Sequence, residues 1–274
     1  MDKTRLFFGL LFFGTISVLL LQSCENVINV NLQDSAPRLV VEGSISNLSD
    51  SVKITLHRST DYFKPAGIIP VTNASVSLAD SKGDAYLLIN GMNGVYSTTD
   101  FHLASDDMYT LHITADGSDY SASTKVPYLV KIDSLDVLER TDREHENQVV
   151  IYIKDPAGIA NYYQVKIYRN DSLLNNGNHF ALYSDKYFDG KSTTIKINAR
   201  RFGIPRFLVH DTLKVQLINL DKMMYDYFQV LRDITEGETF LSASTPSNPP
   251  NNISHGALGY FAAWSVSEKR VIVK

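Results

Sequence analysis

The sequence predicts a mainly β protein of two tandem antiparallel β-sandwiches, over residues 37–130 and 131–274, with one α-helix packed on the second at 221–236. Three observations predict it. Runs of alternating apolar and polar residues recur along the chain with the period of half-buried strands. Clusters of Gly, Asn, Asp and Pro separate them at turn-like intervals. A single later stretch, Met224–Ile234, carries apolar residues at helical spacing.

The first sandwich opens with Arg38–Ser46, where Leu39, Val40, Val41 and Ile45 are apolar. Val52–His57 alternates cleanly, Val52, Ile54 and Leu56 opposing Lys53, Thr55 and His57. Ala74–Ala79 places Val76 and Leu78 on one face, turns at Ser81-Lys82-Gly83-Asp84 and returns through Ala85–Ile89. Asn90-Gly91 and Asn93-Gly94 are turn dipeptides ahead of Gly94–Thr98. Met108–Ala115 alternates again, and Asp116-Gly117 closes a hairpin into Tyr120–Val126. Seven or so short strands with such turns suit a sandwich. Pro127–Leu138 marks the boundary.

In the second, Val149, Ile151 and Ile153 share one strand face. Asp155-Pro156-Ala157-Gly158 turns the chain into Tyr162–Arg169, where Tyr163, Val165 and Ile167 oppose Gln164, Lys166 and Tyr168. Phe180–Phe188, Thr193–Asn198 and Leu213–Leu220 are further strands. The helix follows, with Asp221 placed to accept from the free N–H groups of its first turn, a stripe of Met224, Tyr227, Phe228, Leu231 and Ile234, and Gly237 to end it. Ser242–Ser254 reads as a loop without a packed core, and Gly256–Val266 with Lys269–Val273 as a closing hairpin.

Ahead of the sandwiches, Lys3 and Arg5 precede an uncharged run from Leu6 to Leu21 and then Gln22-Ser23-Cys24, the chain's one cysteine. The run is shorter than the roughly 20 residues that span a bilayer. A basic n-region, an apolar h-region and a small residue before cysteine resemble a bacterial lipoprotein signal peptide. The resemblance implies that residues 1–23 are removed, that Cys24 is lipidated and that residues 24–36 tether the protein to a membrane. Several acyl chains on one residue make such an anchor stable. A lone cysteine also excludes an internal disulfide, so stability rests on apolar burial.

The chain has 26 basic and 30 acidic side chains, a net charge of −4, which leaves no basic footprint for nucleic acid. Catalytic signatures are also missing. The seven histidines, His57, His102, His112, His145, His179, His210 and His255, form neither His-Glu-x-x-His nor His-x-His. No Gly-x-Ser-x-Gly elbow or phosphate loop occurs. Asp106-Asp107 lacks the alternating oxygen ligands of a calcium loop and reads as a turn. No catalytic residue, cofactor or metal ligand set is legible, and the expectation is a protein that is not an enzyme. Aromatic clusters are the remaining lead. Tyr260 and Trp264 share a strand face with Ala262, as core or as a wet platform for a carbohydrate or peptide, and Tyr183, Tyr187 and Phe188 gather mid-domain.

Several blocks together resemble a known family. They are the lipobox, Leu39-Val40-Val41-Glu42-Gly43, Asp155-Pro156-Ala157-Gly158 with Asn161-Tyr162-Tyr163, Asn248-Pro249-Pro250-Asn251, and Gly256-Ala257-Leu258-Gly259-Tyr260-Phe261. The mature chain is similar throughout to Bacteroidota outer-membrane lipoproteins grouped as a domain of unknown function, often neighbours of TonB-dependent receptors. The resemblance implies Ig-like or transthyretin-like sandwiches, an outer-membrane location through the lipid, and an accessory role in ligand capture beside a TonB-dependent transporter. It supplies no catalytic residue. The alternatives are a structural or adhesive surface lipoprotein and, third, an envelope hydrolase.

Asp followed by Ser or Thr and an aliphatic residue recurs at Asp34-Ser35-Ala36, Asp50-Ser51-Val52, Asp133-Ser134-Leu135, Asp171-Ser172-Leu173 and Asp211-Thr212-Leu213. Average usage predicts roughly one such triplet. The pattern resembles an O-glycosylation sequon of exported Bacteroidota proteins, which would modify Ser35, Ser51, Ser134, Ser172 and Thr212. Asp-Ser is equally turn chemistry ahead of a strand.

Overall fold

Most strands form where the alternation places them, but one also forms over Ile132–Glu139, in the stretch that reads as the boundary. In the computed structural model, which describes residues 36–60, 67–139, 146–174, 180–203, 206–235 and 248–274, the first eight are β1 (Leu39–Ser46), β2 (Val52–Arg58), β3 (Ile69–Pro70), β4 (Ser75–Ala79), β5 (Ala85–Asn90), β6 (Val95–Thr98), β7 (Met108–Ala115) and β8 (Ser118–Lys125). β9 (Ile132–Glu139), β10 (Asn147–Lys154), β11 (Tyr162–Arg169), β12 (Ser172–Leu173), β13 (Ala181–Ser184), β14 (Ser192–Asn198) and β15 (Thr212–Leu220) follow, then helix α1 (Lys222–Thr235) and β16 (Leu258–Ile272). Cys24, residues 24–35 of the tether including Ser35, His145, His179 and Gly237 lie outside the described residues.

Two apolar cores organise these strands within the compact unit Pro37–Lys274. In the first, Val52, Ile54 and Leu56 of β2 and Val41 of β1 meet Val76 and Leu78 of β4 and Leu111 of β7, all fully buried. In the second, Val149 and Ile151 of β10 and Ile197 of β14 meet Tyr163, Val165 and Ile167 of β11 and Val215 of β15. The mainly β sandwich class is as the sequence predicts, and the strands turn inward the residues that the period-two pattern selects.

The last strand departs from expectation. The predicted closing hairpin is one 15-residue strand. Its first half pairs parallel with β1, from Val40 opposite Leu258 to Ser46 opposite Trp264. Its second half pairs antiparallel with β15, from Asn219 opposite Ser265 to Thr212 opposite Ile272. Ser267-Glu268, between the two predicted strands, stays in the ladder with β15, and the strand exchanges one neighbour for the other at Trp264–Ser265. β1–β16 is thus a parallel pair among antiparallel ones, and the strand joins both sandwiches into a 13-stranded sheet. Four residues from the range expected to build the second sandwich, Ile253, Ala257, Phe261 and Ala263, lie in the first core. Ile253 also brings part of the predicted Ser242–Ser254 loop into that core.

Polar side chains hold this strand along its length. Asn252 Nδ2 donates to Phe261 O at 2.7 Å while Asn252 Oδ1 accepts from Phe261 N at 3.0 Å. Asn47, just past the end of β1, clamps both backbone groups of Val266. Asn219 Nδ2 donates to Ser265 O, and Ser265 Oγ to Pro127 O, tying the linker to the crossover. These bonds satisfy backbone groups that the change of partner would otherwise leave open. Gly259 has φ 99°, and a Cβ there would stand 1.9 Å from Val41 O, so only glycine fits the parallel approach.

The helix starts at Lys222, as Asp221 predicts: Asp221 Oδ1 accepts from Met224 N at 2.7 Å. Met224 and Phe228 are buried against Ile218 and Leu220 of β15 and Ala262 and Val266 of β16, forming a third apolar cluster on the outer face. β15 explains the layer. Its odd residues Leu213, Val215 and Leu217 face the second core, and its even residues Ile218 and Leu220 face the helix.

Candidate functional site

Beside the helix, the outer face of the first sandwich carries a trough of about 490 Å³. Its shape follows from residue size and register. On β1, Glu42, Ser44 and Ser46 point outward, alternating with buried Val41, Gly43 and Ile45. Ser44 lies between Lys53 of β2 and Ala262 of β16, so small side chains make a low floor. Glu42 lies between Thr55 and Tyr260, and Ser46 beside Trp264, so taller groups rise around it. Ser49 and Ser51, in the turn between β1 and β2, line it too.

The structure brings Tyr260 and Trp264 together here, on the shared face that the spacing predicts. Both are half-buried, backed by the third cluster and open toward the trough. Tyr227 of α1 meets Tyr260 edge-on with ring centroids 5.1 Å apart, and Phe228 stands 6.5 Å away. These contacts fix the Tyr260 ring. Burial first, and the Glu42 charge second, push the Tyr260 hydroxyl up to about 12, so it stays protonated at neutral pH. Lys166 Nζ sits 5.3 Å from the Trp264 ring centroid, and burial lowers its pKa. Trp264 Nε1 is buried without an acceptor. The trough therefore offers aromatic groups, a carboxylate, an ammonium and several hydroxyls on a rigid sheet. That set suits a polar ligand with one apolar face.

The other sequence-selected residues are dispersed. Ser51 is exposed at the trough, its Oγ 2.9 Å from that of Ser49. Ser134 is exposed on β9, an edge strand of the three-stranded sheet β14-β10-β9. Ser172 is exposed after the Asn170-Asp171 turn, where φ is 49° and 64°. Thr212 is half-buried at the start of β15, and its N–H donates to Asn170 Oδ1. Asp211 accepts from Leu208 N and Asn170 Nδ2, so this aspartate also closes a turn. Tyr183 and Phe188 pack on the second core, whereas Tyr187 is exposed. His57 lies on β2 with Nδ1 buried and unpartnered, and His112 is exposed on β7. His210 and His255 occupy turn positions with positive φ. His102 Nδ1 lies 3.1 Å from Asp50 Oδ1, both exposed, and Asp106 has a turn conformation.

One convergence escapes the sequence reading. Asp155, after β10, meets Asp185 and Asp189, after β13, with one carboxylate oxygen of each within 4.8 Å of the others. Asp155 reads in the sequence as a turn residue only. No short spacing links it to positions thirty residues on, so the pairing is visible only once the strands are assembled.

Comparison with known proteins adds a family. The family model described as "Domain of unknown function (DUF4249)" matches residues 25–270. Among curated proteins, none matches the chain. Among solved structures, a two-domain fibronectin type-III segment from chicken tenascin is 12% identical, with 68% of this chain and 91% of that one covered and a TM-score of 0.22. A biofilm associated protein, BSP domain, is also 12% identical, with 88% of this chain and 29% of that one covered and a TM-score of 0.23. The family match spans nearly the whole chain, and the protein belongs to the DUF4249 family.

Proposed function

We propose that this family member is a lipid-anchored protein of the cell envelope, held at the outer membrane through Cys24, that captures a ligand in the trough as the non-catalytic accessory of a TonB-dependent transporter. The observation that carries capture is the trough, where Tyr260 and Trp264 flank a floor of small residues between Glu42 and Lys53. Half-buried aromatic edges beside hydroxyl and charged groups are the chemistry that holds a sugar, whose ring has an apolar face and polar rim. Support for the anchor is the lipoprotein-like leader of residues 1–23 ahead of Cys24, and support for the transporter partnership is the family resemblance of the sequence blocks.

The test uses a built-in probe. Trp264 is the chain's one tryptophan and lines the trough, so a ligand bound there is expected to change its emission. Titration with a panel of oligosaccharides is expected to shift that emission saturably, and Ser44→Tyr, which fills the floor, to abolish the shift. The protein extracted in detergent is expected to co-purify with a TonB-dependent receptor and to take up labelled palmitate on Cys24. Emission that no oligosaccharide moves counts against capture. A solitary, unlabelled protein in every fraction counts against the anchor and the partnership.

A further inference from the structure

We propose that the loops after β10 and β13 form a calcium site, with Asp155, Asp185, Asp189 and the side-chain oxygen of Asn161 as its protein ligands. Two independent observations carry it, the acidic convergence and a buried orphan oxygen.

The convergence is a concentration of charge without a counter-charge. Asp155 and Asp185 are 2% and 7% exposed, and Asp189 is exposed beside them. The bonds that position them come from neutral groups. Asp155 accepts from the Tyr163 hydroxyl and from Gly190 N, Asp185 from Asn161 N at 2.7 Å, and Asp189 from Gly158 N at 2.8 Å. Among the described residues, no ion pair neutralises any of the three. Burial, reinforced by the charges of Asp185 and Asp189, holds Asp155 above the usual carboxylate range, against the opposing bonds from Tyr163 and Gly190. Three carboxylates so close repel one another, and a bound cation reverses the sign of that interaction.

The orphan oxygen points to the same place. Asn161 is 5% exposed, and its Oδ1 is buried with no hydrogen-bond partner. A buried acceptor left unmade is destabilising and requires an explanation. Asn161 immediately precedes β11 and continues its ladder, since Asp185 N donates to Asn161 O at 3.1 Å. Its side chain therefore leaves the strand on the same side as that of Tyr163 two residues on. The Tyr163 hydroxyl ends on Asp155, so that side is the side of the carboxylates. The ligand atoms are all oxygens, the preference of a hard cation, and they come from two loops far apart in sequence. Calcium accepts such irregular sets of carboxylate, amide and water oxygens, whereas magnesium demands near-ideal octahedral geometry.

The experiment uses the full chain, stripped with EDTA and returned to calcium chloride alone. Calorimetric titration is expected to show one Ca²⁺ per chain, with a Kd of about 10⁻⁴ to 10⁻³ M, the range of extracellular sites. At 10 mM Ca²⁺ the Tm is expected to exceed the EDTA value by about 3–10 °C. Asp189→Asn keeps an oxygen for Gly158 N, so it is expected to fold. It should weaken Ca²⁺ binding at least tenfold and yet match or exceed the wild-type Tm in EDTA, because one repelling charge is gone. A purely structural aspartate would not give that reversal. A wild-type Tm equal in Ca²⁺ and EDTA, or an undiminished Ca²⁺ response in Asp189→Asn, overturns the proposal.

Discussion

Phe261→Ala tests whether one strand makes the two sandwiches a single folding unit. Phe261 is 0% exposed and packs in the first core, while its neighbours Tyr260 and Ala262 face the helix layer on the other side of the same strand. Truncating a fully buried phenylalanine costs about 3–5 kcal/mol, the transfer of the lost ring plus the cavity it leaves. For a domain of this size each kcal/mol lowers Tm by about 2–4 °C, so the expected drop is about 6–20 °C. The site of the loss is the first core, but the strand that carries it continues into the ladder with β15 and so into the second. Both cores should therefore melt together. Far-UV circular dichroism follows the strands of both sandwiches, and Trp264 emission follows the helix-covered layer. Coincident transitions at the lowered temperature are expected from the two probes. A biphasic melt, with part of the dichroism persisting to the wild-type temperature, would refute the coupling.

Two further outcomes follow from single side chains. Asp221→Ala removes the acceptor for Met224 N at the start of α1 and is expected to lower stability by about 1 kcal/mol, measured by urea unfolding. Asp211 is held below the usual carboxylate range chiefly by the Leu208 N–H, with the Asn170 amide adding to it. Its contribution is present above the unfolded value of 3.8 and is lost as pH falls through the lower folded value. Urea midpoints of wild type and Asp211→Asn should therefore differ at pH 6 and converge as the pH drops below 4. A constant difference across that range would show that the aspartate charge is not what matters.

Much of this architecture is a local property of the chain. Val52-Ile54-Leu56, Tyr109-Leu111-Ile113, Val149-Ile151-Ile153 and Tyr163-Val165-Ile167 each reveal which face is inward, because side chains alternate with period two whatever the strand pairs with. The helix was equally readable, since its stripe and its capping Asp221 lie within a few turns of one another. Tyr260 and Trp264 could be placed on one face by the same parity, but not the trough, whose floor belongs to Ser44, more than two hundred residues earlier.

What the amino-acid order determined by itself was most of the strand, turn and helix content and the inward residues. Only the assembled structure decided which strands are neighbours. A pair such as Ser267-Glu268 looks the same whether the chain reverses there or goes straight on along the next strand. That choice is made by distant groups, among them Asn47 on the Val266 backbone and Val41 against Gly259. The meeting of Asp155 with Asp185 and Asp189 is of the same kind, set by loops that strand pairing brings together. Alternation is a property of neighbours in sequence, whereas pairing and convergence depend on long-range packing, which no short window of residues contains.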